Sequence, residues 1–212
     1  MAEEMAPAGR AADVSAITQL VLSERESRDM GWWTRMRACF HPDARIRISW
    51  IDGDADAFVR GSIDMAARGM KAKHRVGPPV VRVNGDRGVA SFPAIIDIPA
   101  VLSGVEVMLS SHARFLFRVE KRGGGWKIAF FDSIYMRDEL VAAIPGQVPP
   151  VTPEDVAGYR KSYRMLCHLL SLTGYVPSQD LAGEDRPETA ASLIGDVYGW
   201  VGLQPDAGQD LD

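Results

Sequence analysis

The chain has 212 residues, of which 46% are hydrophobic and 25% are charged, and its formal net charge is −4. These values are ordinary for a globular protein with one sizeable core and an appendage. The negative balance argues against a nucleic-acid partner, because phosphates attract basic surfaces. The first residues lack the apolar segment of a secretory signal, and no apolar run approaches the ~20 residues that span a membrane. We therefore expect a cytoplasmic protein.

The sequence offers no pattern that binds a metal or another cofactor. Cys39 and Cys167 both lie in apolar helical patterns and are expected to be small buried residues rather than a disulfide or metal site. No group of cysteine, histidine and acidic residues has the spacing of a zinc site. No cofactor is therefore expected.

Two helices are predicted before the first strand. Residues 1–12 are expected to be a disordered lead, and Asp13 can cap a helix that runs to about Arg28. After a break at Met30–Gly31, a short second helix carries an apolar stripe and ends before Pro42, because proline disfavours helical geometry in the preceding residue. The residues of that stripe are Trp32, Trp33, Met36 and Phe40.

A strand and a third helix follow. Apolar and polar residues alternate over Arg45–Trp50, which is typical of a half-buried strand. Asp52–Arg60 is polar and is predicted to be a loop. A helix is then predicted over Gly61–Lys73, with His74 at its end.

Four further segments alternate with short turns, which predicts an antiparallel meander. They are Val80–Asn84, Val89–Ala100, Val105–Glu120 and Trp126–Met136. Pro93, Pro99 and Gly104 suggest bulges and strong curvature. Three helices followed by such strands predict an α+β fold with a curved antiparallel sheet.

A two-helix C-terminal extension is predicted over residues 150–202, after the Pro-rich segment Ile144–Pro153. Thr152–Pro153 is a good helix start, and this helix should run to about Thr173. Asp185–Arg186–Pro187 starts a final helix that ends near Val201, before Gly202. Two helices are too few for an independent domain, so we expect them to pack on the sheet or on a neighbouring subunit.

The order of elements resembles the SnoaL-like branch of the nuclear transport factor two-like superfamily over roughly Ala11–Arg137. In the stretch DMGWWTRMRACFHPDA, Asp29 lies eleven residues before Phe40, as in the pattern of that family. Gly61 matches the glycine that opens the third helix, and the meander closes with GGGWKIAFFD. The resemblance implies a cone-shaped α+β barrel over residues 11–140. It also implies a homodimer or homotrimer, because relatives assemble through the open face of the sheet.

The resemblance extends to two catalytic residues. Scytalone dehydratase and hexachlorocyclohexane dehydrochlorinase pair an aspartate with a histidine, and by position these roles fall on Asp29 and His74. Arg28 and Ile48 stand where the tyrosines of the dehydratase are expected, so scytalone itself is not the expected substrate. A neutral imidazole oriented by a carboxylate is suited to removing a proton from carbon. Alternatively, Asp29 caps the second helix and His74 caps the end of the third.

The ligand is expected to be a hydrophobic small molecule in the barrel. The aromatic and apolar residues expected to line its pocket are Trp32, Trp33, Trp50, Phe58, Met70 and Phe115, with Asp97, His112 and Arg114 as polar partners. A charged arginine on that face can hold a carboxylate or an enolate, although the His112–Arg114 side of the strand can equally be solvated. The preferred hypothesis is a cofactor-independent lyase or isomerase with dehydratase-like proton abstraction. A non-catalytic binding module and an oligomer-forming accessory protein are the alternatives.

Overall fold

The structure is a computed structural model that describes residues 7–205. Its helices are α1 (Pro7–Met30), α2 (Trp33–Ala38), α3 (Ala55–Ala67), α4 (Pro153–Val156), α5 (Arg164–Leu172) and α6 (Pro187–Val201). Its strands are β1 (Phe40–Ile48), β2 (Ile51–Asp54), β3 (Lys73–Val76), β4 (Val80–Asn84), β5 (Arg87–Leu102), β6 (Val105–Arg122) and β7 (Gly125–Ala142). None of the helices within these residues is long and apolar enough to cross a membrane.

The strands form one curved sheet in the order β2-β1-β7-β6-β5-β3, and β4 also pairs with β5. All neighbours are antiparallel except β1 and β7, which run parallel. The predicted α+β class, with three N-terminal helices on a curved sheet, is therefore confirmed. The cone is open rather than a closed barrel, because β2 and β3 end the sheet without pairing with each other.

The bulges lie elsewhere than predicted. The pairing of β5 with β6 runs without a shift past Pro93 and Pro99, whereas the β6–β7 pairing shifts between His112 and Ala113 and between Arg118 and Val119. Pro93 instead marks the point where the edge partner of β5 changes from β4 to β3, and its carbonyl accepts a hydrogen bond from Gly77. The prolines thus mark the sheet edge.

The first helices differ from the prediction at both ends. Residues 7–12 belong to α1 rather than to a disordered lead, and residues 1–6 lie outside the described part. The second helix stops at Ala38, and Phe40 begins β1, where it pairs with Ile128. Pro42 lies within this strand, at a shift in the β1–β7 register, where the missing proline N–H is tolerated. Long-range strand pairing therefore outweighs the helical spacing of the apolar residues.

The third helix begins six residues before the predicted start at Gly61. Asp54 caps it, since its Oδ1 accepts a hydrogen bond of 2.7 Å from the backbone N–H of Ala57. Much of the predicted polar loop is therefore β2 and the first turns of α3. His74 lies in β3 and pairs with Ile96, so it does not end a helix.

Side-chain alternation gives the sheet two distinct faces. The inner face carries Phe92, Phe115, Phe117 and Phe131 and packs with Ile17 and Val21 of α1. The outer face carries Val89, Leu116 and Ile134, which pack against Val197 and Val201 of α6. Along β1, Ile46 and Ile48 are buried while Arg45 and Arg47 are exposed, as predicted.

The extension has one more break than predicted. The expected helix from Thr152 to Thr173 is two helices, α4 and α5. The backbone N–H of Leu166 near the start of α5 donates a 2.8 Å hydrogen bond to Asp138 Oδ2 on β7. Helix α6 runs from Pro187 to Val201 and is followed by Gly202 at φ 76°, as the sequence predicts.

Candidate active site

A cavity lies between α1, α3, α5 and the inner face of the sheet. The cavity has a volume of about 530 Å³, part of which is open to solvent. Most of its wall is apolar, and Leu166 and Leu170 of α5 form part of it. The polar side chains that line it are Arg25, Arg28, Ser49, His74, Ser133 and Tyr135. An apolar space with a few convergent polar groups is typical of a small-molecule site.

Asp29 and His74 are in direct contact at the wall of this cavity. Asp29 Oδ1 lies 2.6 Å from His74 Nδ1, and Asp29 Oδ2 accepts a 2.8 Å hydrogen bond from the His74 backbone N–H. The carboxylate therefore holds both the ring and the backbone of the histidine. Because Nδ1 donates to the carboxylate, Nε2 carries the free lone pair.

Strand alternation explains why His74 faces inward. Its neighbour Arg75 points to the outer face, where it pairs with Asp97, while His74 lies opposite Ile96 of the cavity wall. Asp29 lies in the last turn of α1, at the end of the helix that covers the cavity. The two residues are far apart in sequence and meet because β3 returns to the edge of the sheet beside α1.

Burial controls the protonation of the pair. It lowers the pKa of His74 to about 4, the charges of Arg25 and Arg28 act in the same direction, and the hydrogen bond and charge of Asp29 only partly oppose them. Burial acts to raise the pKa of Asp29, but the hydrogen bonds and charge of His74 outweigh it and the pKa falls. At neutral pH the pair is an aspartate and a neutral imidazole, which is the form required of a base.

Arg25 donates a long hydrogen bond to the unprotonated nitrogen of His74. Its Nη1 is 3.4 Å from Nε2, and its guanidinium lies 5.0 Å from the ring centre of Phe131 and 5.4 Å from that of Phe115. Its Nε and Nη2 both bond the buried carboxylate of Glu24. Glu24 therefore partly offsets the Arg25 charge next to the imidazole.

Arg28 is the second buried cation of the cavity. Its residue is 7% exposed, its Nη2 lies 3.7 Å from Met65 Sδ, and its guanidinium is 5.9 Å from the ring of Trp33. Burial and the charge of Arg25 lower its pKa to about 10, so it stays charged at neutral pH. Sequence reasoning treated Arg28 only as a departure from the dehydratase pattern. Its position three residues after Arg25 and seven after Val21, on one helix face, was the available signal.

Two hydroxyl groups on β7 complete the polar wall, and both were missed at the sequence level. Tyr135 Oη accepts a 2.9 Å hydrogen bond from the Ser49 backbone N–H, and burial raises the pKa of this phenol to about 12. Ser133 Oγ is buried and has no hydrogen-bond partner within the described residues. The alternation of β7 places both on the inner face.

The predicted pocket residues fall into two groups. Trp50, Phe58, Met70 and Phe115 line the cavity. Trp32 and Trp33 do not, because α2 packs on the side of α1 rather than across the cavity, and Trp32 remains 42% exposed. The prediction that Trp32 and Trp33 line the pocket is therefore wrong.

The prediction that Asp97, His112 and Arg114 line the pocket is also wrong, because these residues lie on the outer face of the sheet. Asp97 accepts hydrogen bonds from Arg75 and from Ser110 Oγ at 2.7 Å. His112 Nε2 lies 3.2 Å from Glu139 Oε1. Arg114 Nη1 lies 3.3 Å from Ser91 Oγ. As the sequence allowed, His112 and Arg114 share one side of β6 and Phe115 lies on the other, but the cavity is on the Phe115 side.

Residues 9–132, more than half of the chain, match the SnoaL-like domain family. The chain belongs to this family. An uncharacterized protein of Emericella nidulans is 29% identical over 199 residues, which cover 84% of this chain and 82% of that relative. Pea pathogenicity protein 2 of Fusarium vanettenii is 26% identical over 144 residues, which cover 66% of this chain and 62% of that protein.

Solved structures share the fold of this SnoaL-like protein. A hexachlorocyclohexane dehydrochlorinase from Novosphingobium barchaimii has a TM-score of 0.56 at 16% identity, covering 68% of this chain and 100% of that one. A Mycobacterium tuberculosis protein of unknown function has a TM-score of 0.53 at 18% identity, and the match covers 84% of this chain and 98% of that one. A candidate scytalone dehydratase from Novosphingobium aromaticivorans has a TM-score of 0.50 at 13% identity, and the match covers 66% of this chain and 97% of that one. The expected SnoaL-like branch of the nuclear transport factor two-like fold is confirmed.

Proposed function

We propose that this SnoaL-like protein is a cofactor-independent lyase or isomerase that removes a proton from carbon in a hydrophobic small molecule. The observation that supports it best is the 2.6 Å contact between Asp29 and His74 Nδ1, which leaves Nε2 as the unprotonated nitrogen at the cavity wall, 3.4 Å from Arg25 Nη1. The shared fold with a hexachlorocyclohexane dehydrochlorinase, which by its name eliminates HCl, agrees with this proposal.

In the proposed step, His74 Nε2 takes the proton and becomes an imidazolium. The electron pair of the broken C–H bond then either expels a leaving group from the neighbouring carbon, which is a lyase reaction, or is protonated at another atom, which is an isomerase reaction. Asp29 stabilises the imidazolium through its hydrogen bond and keeps Nε2 directed at the substrate. The apolar wall excludes water and strengthens both interactions.

The lowered pKa of His74 suits the free protein for this role. With a pKa of about 4, the imidazole is available as a base at all pH values from about 5 upward. The rate with the free enzyme should therefore rise with pH around 4 and be flat through neutrality. Glu24 pairs with Arg25 and Asp29 pairs with His74, so the charge of Arg28 is left without an ion-pair partner within residues 7–205 before the substrate binds.

The test is carbon–hydrogen exchange, which does not require the product to be known. Small hydrophobic carbonyl compounds with an acidic C–H bond are incubated with the protein in D₂O, and deuterium incorporation is followed by NMR. The wild type should accelerate exchange in at least one compound. His74→Ala should lower that rate by about 10²–10⁴-fold, because it removes the general base.

His112→Ala is the matched control, since it removes a histidine that also has a carboxylate partner but lies on the outer face. It should exchange at the wild-type rate. Equal rates in His74→Ala and the wild type would disprove the proposed base. A wild type that accelerates no exchange across the panel would instead favour a non-catalytic binding protein.

A further inference from the structure

The two buried arginines of the cavity differ in one respect, which is the presence of a counterion. Arg25 directs two of its nitrogens at the carboxylate of Glu24. Arg28 has no carboxylate within ion-pair distance among residues 7–205, and its side chain hydrogen-bonds only the sulfur of Met65. A thioether is a weak acceptor, whereas a guanidinium carries five N–H donors.

An arginine in this state is costly to the fold. Removing a charge from water costs several kcal/mol unless charged or hydrogen-bonded partners replace the hydration. Elsewhere the same chain supplies such partners: Arg160 bonds both oxygens of Asp185 and the carbonyls of Gln179 and Leu181. Packing alone does not account for Arg28, because an apolar residue such as methionine would fill the same space without a buried charge.

The unpaired charge of Arg28 lies in the same cavity as the candidate base. Arg28 and His74 line the same cavity, and Arg28 precedes Asp29 in the chain. Ser133 Oγ, which lines the same cavity, is buried and lacks a hydrogen-bond partner within the described residues. A guanidinium and a hydroxyl that face a largely apolar space are suited to the oxygens of an anion.

We propose that the cavity binds a compact hydrophobic carboxylate and that Arg28 holds its carboxylate group beside His74. This inference rests on the proposed function and adds the substrate class to it. The charge of Arg28 would offset the negative charge that develops when His74 removes a proton from the carbon next to the carboxylate.

The proposal is tested with benzoate and benzamide, which have nearly the same shape and differ in charge. Their dissociation constants are measured by calorimetry at pH 7 for the wild type, Arg28→Met, Arg28→Gln and Arg28→Lys. The wild type should prefer benzoate. Methionine or glutamine should weaken benzoate binding by about 10- to 100-fold and leave benzamide binding within about twofold, because one charge-assisted pair is lost.

Two further variants separate this inference from the proposed function. Arg28→Lys keeps the positive charge but loses the planar guanidinium, which can donate two parallel hydrogen bonds to a carboxylate. It should therefore retain part of the preference for benzoate. Arg114→Gln, on the outer face, should bind like the wild type. His74→Ala should lose exchange activity and still prefer benzoate, so the base and the anion site can fail independently.

Several results would overturn the inference. They are equal affinity of the wild type for benzoate and benzamide, no binding of either, or a preference for benzoate that persists in both Arg28→Met and Arg28→Gln. Loss of both ligands in these variants would mean that Arg28 only shapes the cavity. Arg28→Met and Arg28→Gln both remove the charge, so if one of them does not fold, the other still tests the inference.

Discussion

The inner and outer faces of the sheet each carry a histidine next to a carboxylate, and the two pairs differ in their surroundings. On the inner face, the His74 side chain is 7% exposed, and Asp29 bonds both its ring and its backbone. On the outer face, His112 has a single 3.2 Å contact with Glu139, whose side chain is half exposed. An imidazole and a carboxylate thus form a buried, oriented base in one place and a surface pair in the other.

The arginines repeat this difference in another form. On the outer face, Arg75 pairs with Asp97 at the surface, and Arg118 pairs with Asp132 at 2.9 Å. On the inner face, Arg25 is paired and Arg28 is not. Within residues 7–205, the buried arginine without an ion-pair partner, Arg28, therefore lies on the inner face. Such a charge is what an enclosed site for an anionic ligand requires and what a purely structural surface does not need.

The largest difference should appear when each carboxylate loses its charge. Asp29→Asn should slow carbon–hydrogen exchange by two to four orders of magnitude, because an amide does not stabilise the imidazolium and favours the wrong tautomer. Glu139→Gln should leave the rate unchanged. Initial exchange rates by NMR at equal protein concentration check this, and equal slowing in both variants would remove the distinction between the faces.

Replacing a paired and an unpaired buried arginine by methionine should affect the free energy of unfolding differently. Arg160→Met should destabilise the protein by about 3–5 kcal/mol, because it leaves Asp185 without its partner near the protein interior. Arg28→Met should leave the free energy of unfolding unchanged or raise it, because it removes a charge that has no ion pair. Urea denaturation followed by circular dichroism measures both. A loss of stability in Arg28→Met as large as that in Arg160→Met would show that Arg28 is a structural residue.

The buried histidine should make stability depend on pH. Its folded pKa of about 4 lies below the ordinary value of 6.5, so the unfolded state binds more protons between these values. Stability from this group is present above pH 6.5 and falls as the pH drops toward 4, by about 3 kcal/mol in total. Urea titrations at pH 7 and pH 4.5 should show this loss in the wild type and a smaller loss in His74→Gln.

His112→Gln is the matched control for the pH experiment. Asp138, whose pKa burial raises to about 6, contributes in the opposite direction, so only the difference between wild type and variant isolates His74. His112→Gln should keep the wild-type pH dependence. If His74→Gln keeps it too, the histidine is not buried in its neutral form.

The smallest effect is expected at the outer pair itself. A double-mutant cycle on His112 and Glu139 should give a coupling energy below about 1 kcal/mol, because exposed ion pairs contribute little and are screened by salt. Thermal unfolding of the single and double variants measures it. A coupling of several kcal/mol would mean that the outer face is also an organised polar site.

Local signals were sufficient for part of this molecule. Pro187 and Gly202 define α6, because proline is suited to the first turn and glycine takes the positive φ after the last. The strands β4 to β7 follow from alternation between turns, which predicts the α+β class. The resemblance of the segment around Asp29 to the SnoaL-like family also selected Asp29 and His74 as candidates, since both belong to short stretches of sequence.

Contacts between distant segments decided the rest. Phe40 and Pro42 have helix-ending spacing, yet they lie in β1 because β7 offers a strand partner. His74 faces the cavity because β3 pairs with β5 in one register, and a shift of one residue would turn it outward. Arg28 shares a helix face with Val21 and Arg25, which is a local signal of burial, but its lack of a counterion depends on α3 and the cavity wall around it. Propensity and capping act within a few residues, whereas register and burial depend on which segments meet in the folded chain.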